Sequence, residues 1–373
     1  MSFRSPLLRN TAAGRRTTVL LLGTDDSSEV PRADVALLLS YDPAHRIVDV
    51  VFVPQDVRIA ESHSRYRTLG ELFASYVQRS DGNRTAAAWL LANTLGEVIG
   101  SSTPIRFDYV AVISYDACER ILELIEPVNL TVTEPLYCNG AARGMSMHFD
   151  VGTHQLRAAH AMEYVRYRDA SGEVGKIERY QQFLRALIAR LTDRGTAVKL
   201  PFILWRFHRV AASNMSLWDL FAVAVELRRL SRSSFWFSSL VGRPHERYPL
   251  FGERLREALA SRLSEPRAAT SRPCIVKVYN ASGVPRVALR GTEFLRSHGY
   301  DVIDWATWWR TIPHSRIIDR TGNPLVVRRL AALLNISDVH TQLTAGYAGD
   351  VVDVMVILGE DSAVNDAFRD GTP

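Results

Sequence analysis

The sequence contains few cysteines, and their spacing excludes two kinds of protein. Cys118, Cys138 and Cys274 are the only cysteines among 373 residues, and no pair has the short spacing of a zinc site. An odd number of scattered cysteines also does not indicate a disulfide scaffold. We therefore expect no structural zinc and no disulfide-dependent fold, although a Cys118–Cys138 bond in an oxidising compartment remains open.

Long apolar runs are missing as well. No stretch approaches the ~18–20 consecutive apolar residues that cross a bilayer. Residues 1–16 are basic and polar, and they lack the apolar core of a secretory signal peptide. We expect this segment to be a polar tail, with neither an anchor nor an export signal visible in the sequence.

Lysine is nearly absent, whereas arginine is abundant. Lys176, Lys199 and Lys277 are the only lysines among 45 basic residues, and the net charge is +5. Arginine suits bidentate contacts with phosphate or carboxylate, but a genome rich in arginine codons is the simpler explanation. Only the basic net charge would indicate a nucleic-acid partner, and we expect none.

The first 240 residues alternate between predicted strands and helices. Continuous apolar runs predict buried strands at 17–23, 35–41, 47–53 and 108–114. Apolar residues at helical spacing predict helices at 67–80, 84–99, 115–125, 154–166, 176–193 and 216–230. Ser216 is the expected N-cap of the last helix, with Asp219 at the capping-box position. This order of elements predicts a layered α/β fold.

A second, smaller unit follows a linker. Residues 246–272 are rich in charged residues, proline and small side chains, which is typical of a linker. From 273 to 361 the predicted order is strand, helix, strand, strand, helix, strand, which is the ferredoxin-like α+β pattern. We therefore expect domains at 17–245 and 273–361, and a short tail at 362–373.

Acidic residues lie where the first predicted strand ends and the second begins. Asp25 closes the first strand, and Arg32 and Asp34 open the second. Loops at strand ends are where an α/β sheet binds its ligands, and two carboxylates suit Mg²⁺ together with substrate phosphates. The alternative is that these aspartates only stabilise turns, which is the commoner role of aspartate in such loops.

Basic residues cluster between two predicted helices. Arg166 and Arg168 are two residues apart, so they share one face of an extended stretch, and Lys176 and Arg179 lie in the first turns of the next helix. With the partial positive charge of a helix N-terminus, they predict a pocket for a polyanion. A solvated helix face is the alternative, and spacing alone does not decide between them.

Six blocks of sequence, taken in order, resemble the catalytic domain of the LytR-CpsA-Psr family. They are GTDD, PRADVALLLSYDPAHRIVDVVFVPQD, FDYVAVISYDACERILELI, VTEPLY, GTHQLRAAHAMEYVRYRD and GEVGKIERYQQFLRAL. The later stretch NMSLWDLFAVAVELRRL resembles the closing helix of that domain, and the second unit resembles an accessory domain often attached to it. The resemblance covers most of the chain, about residues 17–240 and 273–361.

The resemblance implies a fold and a function. The fold is an α/β/α sandwich with a mixed central sheet and a hydrophobic tunnel for a polyprenyl chain, whose mouth binds pyrophosphate through arginines and Mg²⁺. The function is transfer of a glycopolymer from a polyprenyl-pyrophosphate carrier to peptidoglycan or another wall glycan, in the extracytoplasmic cell envelope. Contact with the membrane surface is expected through the lipid substrate.

The family motifs carry over onto individual positions. Asp25 and Asp34 match the metal-associated aspartates, and Arg32 matches the arginine just before the second of them. Arg166 and Arg168 match the paired pyrophosphate-binding arginines. We expect Asp34, Arg32, Arg166 and Arg168 to serve catalysis, with Asp34 orienting or deprotonating the acceptor hydroxyl. The other expected substrate-binding residues are Lys176, Arg179, Gln181 and Gln55.

Three positions depart from the family pattern. Gln55 and Lys176 stand where arginine is usual, and Tyr180 stands where glutamine is usual. Gln55 removes a positive charge near the phosphates, Lys176 loses the bidentate geometry, and Tyr180 keeps one hydrogen-bond donor. Arg58 is a candidate to compensate for Gln55. We favour an active transferase; the alternative is a catalytically degenerate protein that binds polyprenyl phosphates or wall glycan.

Overall fold

The structure is a computed structural model of the chain. It describes residues 5–26, 29–55, 57–62, 65–100, 104–132, 136–140, 145–150, 152–167, 172–231, 234–241, 275–297, 300–320, 324–344 and 352–364. The chain divides into two compact units, of which the first ends at Phe237 and the second contains residues 275–364. The expected linker at 246–272 lies outside the described residues, and each unit is described by itself.

The first unit contains eleven described strands, and a twelfth, β12, crosses its boundary at Phe237. They are β1 (Thr17–Asp25), β2 (Arg32–Asp42), β3 (Ile47–Pro54), β4 (Arg58–Ser62), β5 (Arg65–Thr68), β6 (Tyr109–Ser114), β7 (Val128–Val132), β8 (Leu136–Gly140), β9 (Met145–Phe149), β10 (Gly152–Leu156), β11 (Ala212–Ser213) and β12 (Phe235–Val241). Its helices are α1 (Pro6–Ala12), α2 (Leu69–Arg79), α3 (Arg84–Gly100), α4 (Tyr115–Leu122), α5 (Ala158–Arg166), α6 (Gly172–Leu191), α7 (Arg194–Ala197), α8 (Leu200–Val210) and α9 (Leu217–Leu227).

The central sheet of this unit contains the strand order β11-β6-β1-β2-β3. β1 pairs parallel with β6 and antiparallel with β2, and β2 pairs antiparallel with β3, so the sheet is mixed. The residues of β2 from Ala33 to Leu38 are all buried, because the strand lies in the middle of the sheet with both of its faces covered. The two-stranded antiparallel pairs β4–β5, β8–β9 and β7–β10 lie outside this sheet.

Helices cover both faces of the sheet. On one face α2 packs against β2, and α3 packs against β1 and β6. On the other face, Leu37 and Phe52 of the sheet join a buried apolar layer with Leu122 of α4, Ala161 of α5 and Phe183 of α6. The expected α/β/α sandwich with a mixed central sheet is confirmed.

Two expectations for the first unit are wrong. Residues 6–12 form α1 rather than part of a polar tail: Ser5 caps the helix by accepting from Leu8 N, Pro6 stands at N1, and Leu7 is buried. The helix expected from residue 154 begins only at Ala158, because His154–Leu156 pair as β10 with β7. In the second case, pairing between distant segments overrides the local helical spacing.

Cys118 is a free thiol. It packs against the apolar layer between the sheet and α4–α6, and burial raises its pKa to about 12. The thiol is therefore protonated at neutral pH and serves as a small apolar side chain.

The second unit is a smaller sheet with helices. Its elements are β13 (Ile275–Asn280), α10 (Val287–Ser297), β14 (Asp301–Thr307), β15 (Arg316–Asp319), α11 (Pro324–Leu334), β16 (Asp338–Thr344), β17 (Val354–Leu358) and a 3₁₀ turn (Glu360–Val364). The strand order is β16-β15-β17-β13-β14, with β13–β14 and β15–β16 pairing parallel as direct neighbours. A separate C-terminal sheet unit is thus confirmed.

Its topology corrects the ferredoxin-like expectation. In the split βαβ pattern another strand separates the two parallel strands, whereas here the strands flanking each helix are adjacent. The sequence pattern also missed β16, whose residues DVHTQLT are mostly polar and give no apolar run. In the part of the chain that the structure describes, no helix has the length and apolar character needed to cross a membrane.

Candidate functional site

A β-bulge sets the position of Asp34. β1 and β2 pair regularly up to Gly23 opposite Val35, and Thr24 is then opposite Ala33, so Asp34 has no opposing residue in this ladder. A bulge of this kind bends the strand and re-aims the side chain of the extra residue. Gly23 permits the close approach, because a Cβ at this position would lie 2.9 Å from Val35 Cγ1.

Three side chains from two helices close around the carboxylate of Asp34. Lys176 Nζ lies 2.8 Å from Asp34 Oδ1 and 2.9 Å from its main-chain oxygen. The hydroxyl of Tyr115 donates to Asp34 Oδ2, and the hydroxyl of Tyr180 lies 3.2 Å from the same oxygen. All four side chains are buried. We call Asp34, Lys176, Tyr115 and Tyr180 the Asp34 cluster.

Local structure explains why these residues meet. Lys176 and Tyr180 are four residues apart on α6, so they lie on one face of the helix, and Lys176 Nζ is 5.9 Å from the centre of the Tyr180 ring. Tyr115 is the first residue of α4, which begins where β6 ends and is capped by Ser114. The position of each residue of the cluster therefore follows from the secondary structure: Tyr115 lies at the start of a helix, and Lys176 and Tyr180 lie on one face of another.

The tyrosines act as hydrogen-bond donors. Burial, and then the neighbouring Tyr115 and Asp34, raise the pKa of Tyr180 well above its ordinary value of 10.0. Its hydroxyl therefore remains protonated across the physiological range. The carboxylate of Asp34 thus accepts from a cation at one oxygen and from hydroxyl groups at the other.

Arg166 lies over this cluster. It is the last residue of α5, its side chain is exposed, and its Cζ lies 5.1 Å from the centre of the Tyr115 ring. An arginine over an aromatic face is held by a cation–π interaction while its N–H groups remain able to bind an anion. Arg168, the second arginine of the expected pair, lies outside the described residues.

Arg32, Asp25 and Gln55 lie at the same end of the sheet. Asp25 is the residue opposite Arg32 in the β1–β2 ladder, and the side chain of Arg32 is exposed. The pairing of β2 with β3 reaches Val35 opposite Pro54, so Asp34 and Gln55 are the next residues on the two strands. Gln55 is thus a neighbour of the Asp34 cluster in sequence register, whereas the side chain of Arg58 lies outside what the structure describes.

Two expected binding residues have a different setting. Arg179 is buried, donates to the main-chain oxygen of Tyr167 over 2.9 Å, and has its Cζ 5.2 Å from the centre of that ring. It therefore fastens the chain directly after Arg166 to α6. Gln181 is buried in the same helix. The substrate-binding role expected for Arg179 and Gln181 stays a prediction.

The structure adds residues that the sequence did not single out. Tyr115 bridges Asp34 and Arg166, and its only sequence signal is its place directly after a buried strand and a capping serine. Arg84, the first residue of α3, makes an ion pair of 2.9 Å with Asp26, next to Asp25. This pair brings a further, half-buried arginine to the same end of β1.

The expected Mg²⁺ does not fit Asp34 as it is arranged. Mg²⁺ needs oxygen ligands at about 2.0–2.1 Å in near-octahedral geometry. Both carboxylate oxygens of Asp34 already accept hydrogen bonds, and an ammonium group lies 2.8 Å from Oδ1. A metal bound to the same oxygen would be repelled by that charge. Within the described residues, no group of three or more His, Cys, Asp or Glu side chains is placed to hold a metal ion.

Comparison with known proteins follows the two-unit division of the chain. Residues 6–247 match the family model described as the LytR_cpsA_psr family. Residues 275–361 match the model described as LytR cell envelope-related transcriptional attenuator. The first match covers well over half of the chain.

The curated relatives are distant, and the chain spans about half the length of those it matches. It is 21% identical over 188 residues to the regulatory protein MsrR of Staphylococcus aureus, covering 50% of this chain and 52% of that protein. It is 20% identical over 192 residues to the polyisoprenyl-teichoic acid–peptidoglycan teichoic acid transferase TagV of Bacillus subtilis. This match covers 50% of this chain and 46% of TagV.

Solved structures share the fold. The crystal structure of Bacillus subtilis TagV aligns with a TM-score of 0.55 at 16% identity. The alignment covers 68% of this chain and 99% of the TagV chain. The LytR-Csp2A-Psr enzyme from Actinomyces oris aligns with a TM-score of 0.52 at 19% identity, and the alignment covers 67% of this chain and 90% of the chain of that enzyme. At such low identity these likenesses show the fold alone.

Proposed function

The chain belongs to the LytR-CpsA-Psr family, and from this we propose that it transfers a glycopolymer from a polyprenyl-pyrophosphate carrier to peptidoglycan or another wall glycan. The observation that carries the proposal is the place of Arg166 over the Asp34 cluster. A structural relative named as a polyisoprenyl-teichoic acid–peptidoglycan transferase supports the same substrate class. The proposed place of action is the extracytoplasmic cell envelope.

The arrangement suits a lipid with a charged head. Tyr115 and Tyr180 belong both to the Asp34 cluster and to the buried apolar layer between the sheet and α4–α6. An anion bound at Arg166 would therefore stand at the edge of that layer, into which the apolar chain of the carrier extends. Burial of each CH₂ group of such a chain contributes about 0.8 kcal/mol.

The proposed reaction is a phosphoryl transfer. A hydroxyl oxygen of the acceptor glycan forms a bond to the phosphorus next to the glycopolymer, and the bond from that phosphorus to the bridging oxygen breaks. Polyprenyl phosphate leaves with the bonding electrons and takes up the hydroxyl proton, because its new oxyanion is the strongest base formed. Arg166, Arg168 and Arg32 would neutralise the phosphate oxygens, while Asp34 holds Tyr115 in place.

The test is release of polyprenyl phosphate from a polyprenyl-pyrophosphate-linked sugar in the presence of a wall-glycan acceptor. We expect turnover by the full chain and its near loss in Arg166→Gln. Arg120→Gln is the matched control, because Arg120 is an exposed arginine on α4. Absence of turnover in the wild type, with no polyprenyl lipid found by mass spectrometry of the purified protein, would contradict the proposal.

A second function is a protein that binds the same lipid without transferring its glycan. Gln55 favours it, because this residue places a neutral side chain beside Asp34 where the family pattern has arginine. The two functions differ in one measurement. The binding protein would retain polyprenyl-pyrophosphate-linked sugar without releasing polyprenyl phosphate, whereas the transferase would release it.

A further inference from the structure

We propose that Lys176 takes the place of a bound divalent cation, so that this site binds the phosphates of its lipid without metal. The inference rests on the proposed function and deepens it. It starts from the ion pair between Lys176 and Asp34, whose side chains are only 4% and 11% exposed. A buried carboxylate needs a compensating charge, and here the protein supplies that charge itself.

Charge balance makes a second cation at Asp34 unfavourable. The pair of Lys176 and Asp34 is neutral as a whole, so the charge of the carboxylate is already balanced by the ammonium group 2.8 Å from Oδ1. A divalent cation would have to displace the ammonium group from Oδ1 and from the main-chain oxygen. The displaced ammonium would then lie buried without its carboxylate, which is strongly destabilising.

The positive charge for the phosphates comes instead from arginine above the cluster. Tyr115 is a positioning residue: its hydroxyl is fixed on Asp34, and its ring carries the guanidinium of Arg166. Guanidinium groups bind phosphate oxygens bidentately and need no metal to do so. Lys176, Asp34 and Tyr115 thus form a fixed support, and the arginine that it holds contacts the ligand.

Two titrations of the full-length protein test the inference. In the first, Mg²⁺ is titrated into the ligand-free protein by calorimetry and by thermal denaturation. In the second, the affinity for farnesyl diphosphate is measured with Mg²⁺ and with EDTA. We expect no saturable Mg²⁺ binding at millimolar concentration and equal affinities with and without metal. In Lys176→Met we expect Mg²⁺ to raise the melting temperature and EDTA to weaken farnesyl diphosphate binding about tenfold. Lys277→Met, which removes a lysine of the second unit, should behave as the wild type.

The outcomes separate the inference from the function. Saturable Mg²⁺ binding by the wild type that Asp34→Asn abolishes would overturn the inference, as would a tenfold loss of farnesyl diphosphate affinity in EDTA. These wild-type and Asp34→Asn measurements decide the matter even where Lys176→Met does not fold. Absence of farnesyl diphosphate binding under every condition would count against the proposed function, while the Mg²⁺ titration would still decide whether Asp34 binds metal.

The helices that follow α7 expose large apolar side chains. Of ten large apolar side chains that the described part of the chain exposes, six lie between residues 198 and 221. They are Val198, Phe202, Trp205, Leu217, Trp218 and Phe221. We call these six residues the α8–α9 patch. Exposed apolar groups of this density mark interaction surfaces.

The patch is built from two neighbouring helices. Phe202 and Trp205 are three residues apart on α8, and their rings stack with centres 5.7 Å apart. Leu217, Trp218 and Phe221 occupy the outward side of the first turns of α9, which packs against α8. α8 buries Leu200 and Ile203, and α9 buries Leu220 together with small and acidic residues, so each helix has apolar side chains on its exposed side as well as on its buried side. An ordinary surface helix has polar residues on its exposed side.

Basic residues outnumber acidic residues around the patch. Residues 194–225 contain the basic residues Arg194, Lys199, Arg206 and Arg209, and Asp219 is their only acid. Asp219 is buried and caps α9, so it does not oppose the basic charge at the surface. Aromatic residues together with arginine and lysine are the combination that binds at the interface of anionic lipids.

We infer that the α8–α9 patch docks on a membrane surface that contains anionic lipid. The test is flotation of the full chain with vesicles of phosphatidylcholine alone or with phosphatidylglycerol. We expect binding to the anionic vesicles, weakening with salt, and a loss of about tenfold in Trp218→Ser. Trp309→Ser is the matched control, because both tryptophans are 74% exposed and Trp309 lies in the second unit. Equal flotation of the two variants would overturn the inference. So would a concentration-dependent dimer, without flotation, that Trp218→Ser abolishes.

Discussion

The hydroxyl of Tyr109 donates a 2.6 Å hydrogen bond to Asp219 Oδ1, and thereby joins the central sheet to α9 across 110 residues of sequence. The same hydroxyl accepts from the main-chain nitrogen of Leu7 over 2.9 Å. The other carboxylate oxygen of Asp219 accepts from Ser216 N and Oγ, as part of the capping box. One tyrosine therefore connects α1, the sheet and the cap of α9.

Tyr109→Phe should lower the free energy of unfolding by about 1–3 kcal/mol, because it leaves buried hydrogen-bonding groups of Asp219 and Leu7 without this partner. Urea denaturation of the full chain measures the loss. Tyr76→Phe is the control, since the Tyr76 hydroxyl meets a single side chain, Thr94, at 2.9 Å. A loss no larger than that of the control would contradict the role of Tyr109 as a connection between three elements.

Stability should fall in acid partly through Asp219. Burial alone would raise the pKa of this carboxyl, but hydrogen bonds from Ser216, Ser5 and Tyr109 together bring it below 3.8. Since the folded state has the lower pKa, the contribution of Asp219 is present above about pH 4 and is lost as the pH falls below it. Unfolding free energies measured between about pH 6 and pH 3 should decline less steeply in Asp219→Asn than in the wild type.

Gly96→Ala should destabilise the first unit by about 1–3 kcal/mol or more. A Cβ at Gly96 would lie 2.0 Å from the main-chain oxygen of Ile105, and backbone has little room to move there. Gly195→Ala is the comparison, because its Cβ would meet only the flexible end of Asp193 at 3.2 Å. Thermal denaturation of both variants should show a large loss for the first and almost none for the second.

Arg166→Lys should weaken farnesyl diphosphate binding about tenfold, although the charge is kept. Lysine lacks both the planar fork that binds phosphate and the flat face that stacks on Tyr115. Calorimetric titration gives the affinity, and Arg120→Lys on α4 serves as the matched exchange at an exposed site. Unchanged binding in Arg166→Lys would mean that net charge alone holds the ligand.

Gln55→Arg should raise the rate of glycan transfer. An arginine beside Asp34 would add one charge-assisted hydrogen bond to the phosphates, worth about 1.5–3 kcal/mol, and a bond made only in the transition state raises the rate about ten- to a hundredfold. Polyprenyl phosphate release by wild type and variant measures the gain. If the wild type releases polyprenyl phosphate rapidly and Gln55→Arg does not raise this rate, Gln55 does not impair the transfer reaction.

Apolar patterns predicted the strands that form the middle of the first sheet, because residues buried on both faces leave a continuous run. The capping box of α9 was likewise readable, and Ser216 and Asp219 form it as expected. β16 and β10 could not be found in this way. Their strands are mixed in polarity and gain their conformation from pairing with distant segments.

The sequence identified most residues of the site one by one, but it did not predict how they are arranged around Asp34. Asp34 and Lys176 were both candidates, yet no spacing rule relates residues that lie 142 positions apart. Their ion pair depends on the bulge in β2 and on the face that α6 turns to the sheet. Tyr115 escaped notice because a buried aromatic residue at a helix start is ordinary packing until its neighbours are known.

Because of the bulge in β2, the pairing of β1 with β2 does not depend on Asp34. Because Ala33 and Val35 already lie opposite Thr24 and Gly23, excision of Asp34 would merge two regular stretches of ladder without shifting either one. Removal of Asp34 alone would, however, leave the buried ammonium group of Lys176 without its carboxylate, which is strongly destabilising. The extra residue between Ala33 and Val35 therefore depends on a partner that lies 142 positions later in the chain, and we expect the two to be kept or lost together.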